Sequence, residues 1–375
     1  MQIHKSNSES NQNMKKTHRI LNQLMPVALF AAFLTVSHAQ SFDPGNLIVL
    51  QVGDGSAALT SAGTAIYLDQ YTTGGSFVND LAIPSTGSSA LVNSGTASSE
   101  GQLSLSANDQ YLVLAGYNGA AGTAGVAGAT SSSVPRGIAT VDASGNYTLA
   151  ATTSSYYNKN NIRGGTSDGN GNYWGAGTGS SSSGGTVYMG TGTPAQLTSA
   201  NSLVIQDIAG NLFYSSKANT GIYEIPGTPT SGTVTPSLLI SDSNPSGFAF
   251  NSSMTIAYVA NTSGGIDRFD LVDGTWTLQY NLGSGTAMNG LVADFSGTDP
   301  LIYATTEDGT QLVEITDTGS GSTADLLATA GSNEAFRGLE FAPVPEPSVF
   351  ALIGLSATAM LGFRRLRKNS TRSSR

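Results

Sequence analysis

The sequence predicts an all-β fold, a β-propeller of six four-stranded blades, and three observations carry that prediction. The body of the chain has almost no helical periodicity; short runs rich in Val, Ile, Leu and Tyr are cut by Gly, Asn, Asp and Ser. Similar runs recur mostly at spacings of 41 to 47 residues, the length of one blade. The two ends of the body are also complementary, each supplying strands that the other lacks.

Six runs read as innermost strands: 102–107, 162–168, 203–207, 247–250, 290–294 and 337–341. A polar turn and a second strand follow the first five, with centres at Tyr111-Leu112-Val113-Leu114, Tyr173-Trp174, Leu212-Phe213-Tyr214, Ala257-Tyr258-Val259 and Leu301-Ile302-Tyr303. Third strands, alternating apolar and polar as half-buried strands do, are expected over 137–141, 185–189, 221–225, 265–269 and 311–315. Fourth strands are expected at 147–150, 276–280 and 325–327. The run 337–341 has no partners after it, whereas 46–52, 65–70 and 77–82 have no inner strand before them. Joining the two sets closes a ring of five continuous blades and one shared blade. Seven blades is the neighbouring count. A parallel β-helix would need rungs nearer 20 to 25 residues and fewer hairpin turns than Asp168-Gly169-Asn170-Gly171-Asn172 and Glu307-Asp308-Gly309 supply. The segment 116–133, rich in Gly, Ala, Ser and Thr, reads as a mobile loop inserted in the first blade.

Composition removes whole classes of chemistry. The chain has no cysteine, so disulfides, thiolate metal sites and thiol nucleophiles are excluded. Its three histidines, His4, His18 and His38, all precede the expected processing site, so the mature protein would lack a Ser-His-Asp triad and imidazole-bound metal. Between Gln40 and Glu340 there are 23 acids against six bases. Such a body repels phosphate backbones, which argues against nucleic acid as a partner.

The termini read as targeting segments. Lys15, Lys16 and Arg19 precede the apolar run 24–36, and Ser37-His38-Ala39 offers the small residues that signal peptidase accepts, so cleavage is expected after Ala39, with Met14 the alternative start. Thirteen apolar residues are too few for an ordinary membrane span. At the other end, 348–363 is apolar for 16 residues and is followed by Arg364, Arg365, Arg367 and Lys368. As a helix it covers roughly 24 Å, a short transmembrane segment that snorkelling arginines and local thinning can accommodate. The basic cluster places the C-terminus on the cytoplasmic side and the body outside.

Pro345-Glu346-Pro347, the short apolar helix and the basic terminus together resemble the PEP-CTERM sorting signal of exopolysaccharide-producing Gram-negative bacteria. The resemblance implies recognition and cleavage by an exosortase, with transfer to the cell surface or extracellular matrix. Physically, the two prolines hold the chain extended around a single carboxylate. The body also resembles the propeller-type ectodomains of PEP-CTERM proteins through Gly45-Asn46-Leu47-Ile48-Val49-Leu50 and Val52-Gly53-Asp54-Gly55. The expected organisation is therefore a signal peptide over 1–39, an ectodomain over 40–343, a sorting signal over 344–368 and a cytoplasmic tail over 369–375.

Candidate sites within the body are few. Asp168, Asn170 and Asn172 alternate like the oxygen ligands of a calcium loop, but Tyr173 stands where a glycine is wanted and no glutamate closes the set, which favours a hairpin turn. Asp267, Asp270 and Asp273 read as a solvated blade edge. Asp168, Asp207, Asp294 and Glu340, at inner-strand ends, are placed to line the central channel, where a pair of carboxyls would suit a glycosidase or hold a cation. Trp174, Trp276, Tyr156 and Tyr157 have the flat faces that stack on sugars, although aromatic residues in strands are more often core. The expectation is a non-enzymatic surface or matrix propeller associated with exopolysaccharide or biofilm. A carbohydrate-active hydrolase or lyase using channel carboxylates is the alternative, and a calcium-stabilised adhesin the third reading.

Overall fold

A computed structural model describes residues 40–345. The signal peptide with Ala39, residues Glu346 and Pro347, the apolar helix and its basic flank lie outside the described residues. Among the described residues no helix is long and apolar enough to cross a membrane.

The fold is a six-bladed β-propeller, built of six four-stranded antiparallel sheets. From the inside outward, blade one is Leu103–Leu105, Tyr111–Tyr117, Arg136–Asp142 and Tyr147–Thr153; blade two is Ile162–Ser167, Tyr173–Gly177, Thr186–Tyr188 and Ala195–Thr198. Blade three is Ile205–Ile208, Asn211–Ser216, Gly221–Ile225 and Ser237–Ser241; blade four is Pro245–Phe250, Ile256–Asn261, Ile266–Val272 and Thr275–Leu282. Blade five is Met288–Asp294, Leu301–Thr306, Gln311–Thr316 and Asp325–Thr329. Blade six is shared as expected: Ala335–Phe341 lies innermost and pairs with Leu47–Val52, followed by Ile66–Tyr71 and Phe77–Ala82. The fourth strands of blades two and three are additions to the expected set.

Six apolar cores fill the six gaps between neighbouring blades, and the second strands show why. In blade one, Leu112 and Leu114 enter the core shared with blade six, while Val113, Ala115 and Tyr117 enter the core shared with blade two. In blade four, Ala257 and Val259 face blade three, and Tyr258 and Ala260 face blade five. A middle strand is thus apolar on both faces because both faces are buried, whereas an outermost strand such as Asp325–Thr329 leaves Leu326 57% exposed. Leu47, Val49, Phe336 and Leu339, from the two ends of the ring, share one core with Val292, Tyr303 and Leu312 of blade five. The closure of the ring is therefore cemented by packing as well as by strand pairing.

The segment expected to be a mobile loop is pinned. Gly116 and Tyr117 continue the second strand of blade one, and the remainder folds around the short 3-10 helix Val126–Gly128, with Val126 fully buried. Arg136, fully buried, donates to the carbonyls of Val134, Ala127, Ala129 and Asn160 at 2.6–3.1 Å, and its guanidinium lies 5.1 Å from the Tyr117 ring. Composition suggested freedom, but one buried cation gathers the loop's carbonyls. Arg136→Met should therefore cost about 2 kcal/mol and open residues 118–135 to protease, since it strands several buried acceptors. Limited proteolysis with mapping of the first cut checks this.

Candidate functional site at the channel mouth

The inner strands all run the same way, so their N-terminal ends share one face of the ring and their C-terminal ends the other. The first face is covered by the chain just before blade one. Ser98 accepts from Asn289 Nδ2 of blade five at 3.1 Å through its carbonyl, and Ser99 Oγ accepts from Arg163 Nε of blade two at 3.2 Å. Blades two and five stand opposite in a six-membered ring, so this segment crosses the channel axis. Arg337 of blade six donates to the Gly95 carbonyl at 3.2 Å. Beneath it, Asn289 Oδ1 accepts from Gln102 Nε2 at 3.1 Å and from Ser246 Oγ at 2.7 Å, joining blades one, four and five.

Glu100 holds this cover in place. Its carboxylate, fully buried, accepts from Tyr117 OH and Asn161 Nδ2 at 2.5 Å each and from the Ser94 N–H at 2.8 Å. Burial pushes its pKa up, and these hydrogen bonds only partly offset that.

The opposite face is open. A pocket of about 350 Å³ occupies the channel mouth, with Asp109, Asp207 and Glu340 among apolar residues that include Phe248, Phe250 and Leu291. Asp207 and Glu340 are each only 8% exposed. Asp207 Oδ1 is buried without a hydrogen-bond partner, and burial raises the carboxyl's pKa despite a hydrogen bond from the Gly210 N–H. Burial likewise pushes Glu340 up to about 7; nearby Asp109 adds to the effect, and the Phe341 N–H, at 2.9 Å, works against it. Near neutrality this mouth therefore offers one carboxyl, Glu340, able to donate a proton, beside a second carboxyl, Asp207, that burial also raises.

A folded-state pKa above the ordinary glutamate value means that Glu340 favours folding at low pH, and that this contribution is lost as pH rises through about 7. Asp69 and Asp242, also raised to about 7, act in the same direction. Glu340→Gln should accordingly reduce, but not abolish, the fall in melting temperature between pH 5 and pH 8.

Of the four acids expected to line the channel, the structure brings two there. Asp168 instead closes its hairpin turn: its carboxylate accepts from the N–H groups of Asn170 and Asn172 at 2.7 and 3.1 Å and from Asn172 Nδ2 at 2.6 Å. Asn172 Oδ1 is taken by Tyr188 OH at 2.8 Å. The side-chain oxygens of Asp168 and Asn172 are thus engaged within a turn, while Asn170 contributes its Nδ2 to the Asp168 carbonyl at 3.1 Å. Asp294 accepts from the Ser296 N–H at 2.8 Å, an ordinary turn contact. Asp109, the third acid at the mouth, was missed because it sits in the polar turn after the first inner strand, with a left-handed φ of 57°. Asp267 is not a solvated edge residue: it is 8% exposed and accepts from Asn261 and Asn281 at 2.8 and 2.9 Å.

The aromatic candidates divide. Trp174 and Tyr157 are fully buried, donating to the carbonyls of Pro229 and Gly185, and so are core. Tyr156 is half-buried and donates to the Pro194 carbonyl at 3.3 Å. Trp276 lines a separate groove of about 560 Å³ with Leu238, Met254 and Leu271 on the outer edge of blades three and four. Pro345 is exposed.

No protein-family model and no curated protein matches the chain. Among solved structures it is similar to a candidate 6-phosphogluconolactonase from Bacteroides fragilis, at 14% identity over 76% of this chain and 82% of that one, with a TM-score of 0.45. A functionally unknown protein from Desulfotomaculum acetoxidans matches at 14% identity, 80% and 90% coverage and a TM-score of 0.45. A chain of a nidogen–laminin complex matches at 10% identity, 80% and 99% coverage and a TM-score of 0.46. Likeness at this level says nothing of activity or ligand.

Proposed function

We propose that this chain is exported, processed at both ends and displayed at the cell surface or in the extracellular matrix, where its propeller binds a hydroxylated polymer such as exopolysaccharide without transforming it. The observation that supports this reading is where the ring ends. Ala342 N–H donates to the Asn46 carbonyl at 2.9 Å and Val344 N–H to the Asp109 carbonyl at 2.8 Å, so both ends of the ring leave beside the acidic mouth. A ring tethered through Pro345 would hold that mouth against whatever surface carries it. Sugar hydroxyls are suited to the mouth because it is lined by the carboxyls of Asp109, Asp207 and Glu340, and a protonated Glu340 can donate to them.

Mass spectrometry of the native protein from cell fractions tests the export half of the reading. The expected mature chain begins at Gln40 and ends near Pro345 in the surface or matrix fraction. An intact chain in the cytoplasm, with residues 1–39 and Arg364 to Lys368 still attached, would sink it. For the binding half, retention on the organism's extracellular polysaccharide should fall several-fold in Asp207→Asn.

The two carboxyls sharing one pocket also support a second reading, glycoside hydrolysis with Glu340 as the proton donor. Release of reducing ends that is abolished in Glu340→Gln would establish that reading and displace the first.

A further inference from the structure

A second acidic pocket, of about 350 Å³, lies where the outer strand of blade five meets blade six. Four carboxylates line it, Asp54, Asp69, Asp80 and Glu334, together with Tyr67, Tyr71 and Phe77. Asp69 and Asp80 face each other directly across paired strands, an arrangement that like charges disfavour.

Asp69 is the unusual member. It is 4% exposed, lines the cavity and has no hydrogen-bond donor among the described residues. Its surroundings, Asp80 and Glu334, are of its own sign, and no Lys or Arg lines the pocket. Burial first, and then these two neighbours, push its carboxyl up to about 7. Asp54 and Glu334 have local partners: Asp54 accepts from the Ser56 N–H at 3.0 Å and Glu334 from the Gly331 N–H at 2.9 Å. A buried, ionised carboxylate ordinarily has a counter-charge, and among the described residues no cation stands at that point.

The counter-charge is not suited to be a bare metal ion. No three acids among the described residues are grouped closely enough to hold one, and the cavity has the volume of a small organic molecule. The aromatic wall, with Tyr71 and Phe77 edge-to-face at 5.6 Å, suits methylene groups between charged ends.

We propose that this pocket binds an aliphatic diamine or polyamine, one ammonium group seated on Asp69 and Asp80 and the next reaching toward Glu334 and Asp54. Such a ligand supplies the missing donors, neutralises the facing pair and lays its alkyl chain along the tyrosines.

The test is calorimetric titration of the full-length chain with spermidine, putrescine and calcium chloride in about 0.15 M salt, where diffuse attraction is screened. Spermidine is expected to bind at one site, with affinity reduced at least tenfold in Asp69→Asn and in Asp80→Asn. Asp299→Asn, which removes an exposed acid far along the chain, should bind as the native protein does. Without ligand, Asp69→Asn should melt at the native temperature or above, because it relieves repulsion rather than breaking a bond. Equal losses in Asp299→Asn would reduce the binding to general electrostatics and overturn the proposal. Binding of calcium with no binding of either amine would overturn it as well, as would a marked fall in the melting temperature of Asp69→Asn.

Discussion

Gly338→Ala is expected to destabilise the ring by about 3 kcal/mol or more, at the upper end of what added volume costs a packed interior. A Cβ at this position would lie 2.5 Å from Leu103 N, 2.7 Å from Gln102 Cα and 2.8 Å from the Gly101 carbonyl oxygen. All three are backbone atoms of the neighbouring chain, so no side chain can swing away to make room. The same glycine donates from its N–H to Gly101 O at 3.0 Å, at the junction where blade six meets blade one. Displacing it would loosen the contact that closes the ring. Gly247 and Gly290 are crowded in the same way, by Leu291 N at 2.6 Å and by Arg337 O at 2.8 Å respectively. Small residues at these points let inner strands converge on a narrow channel, each next to a polar residue: Ser246, Asn289 and Arg337. Gly128→Ala is the control, since nothing lies within 4 Å of its Cβ position. Urea midpoints compared at constant slope decide the matter; a Gly338→Ala midpoint matching that of Gly128→Ala would refute the crowding argument.

Those glycines also explain how much of the architecture was legible. The inner strands of blades four, five and six each carry a polar residue, a glycine and then an apolar residue, Ser246-Gly247-Phe248, Asn289-Gly290-Leu291 and Arg337-Gly338-Leu339, with the glycine set against a neighbouring backbone. Middle strands are legible because cores on both sides demand apolar residues throughout. The outer strands Ala195–Thr198 and Ser237–Ser241 were invisible for the converse reason: they lie at the rim, follow Pro194 and Pro236, and need little hydrophobicity to pair along one edge. Glu340 was legible as an acid near the end of an inner strand. Asp69 did not, since Tyr67-x-Asp69-x-Tyr71 reads as the wet face of a half-exposed strand. Only the ring, which sets the next blade's linker against that face, turns it into a pocket wall. Pattern along a strand reveals burial in an interblade core, but not burial of a polar face by a linker such as the one carrying Gly331 and Glu334.

Asp317→Ala should lower stability by about 3 kcal/mol, because it removes the acceptor that ties three strands of blade four to blade five. Asp317 follows the third strand of blade five and is 4% exposed. Its carboxylate accepts from Tyr258 OH at 2.5 Å, Arg268 Nη1 at 2.6 Å, Tyr280 OH at 2.9 Å and the Gly319 N–H at 3.0 Å. Truncation leaves the buried Tyr258 hydroxyl without its acceptor and Arg268 with Asp270, at 3.1 Å, and the Tyr280 hydroxyl, at 2.8 Å. Burial alone would raise the Asp317 pKa; the hydrogen bonds from Tyr258, Arg268 and Tyr280 outweigh it and hold the carboxyl below the usual aspartate value. The clamp's contribution is therefore complete above the ordinary aspartate range and lost as pH falls through the lower folded value. This is the opposite sense to Glu340, so the two variants should differ in sign: Asp317→Ala loses most near neutrality and least in acid, while Glu340→Gln matters most above pH 7. Asp270→Asn breaks the more exposed half of the same ion cluster and should cost less than about 1 kcal/mol, since solvent screens it. Thermal melts of the three variants from pH 3 to pH 8 would separate these effects. Equal losses for Asp317→Ala and Asp270→Asn would show that the interblade clamp is only a surface ion pair.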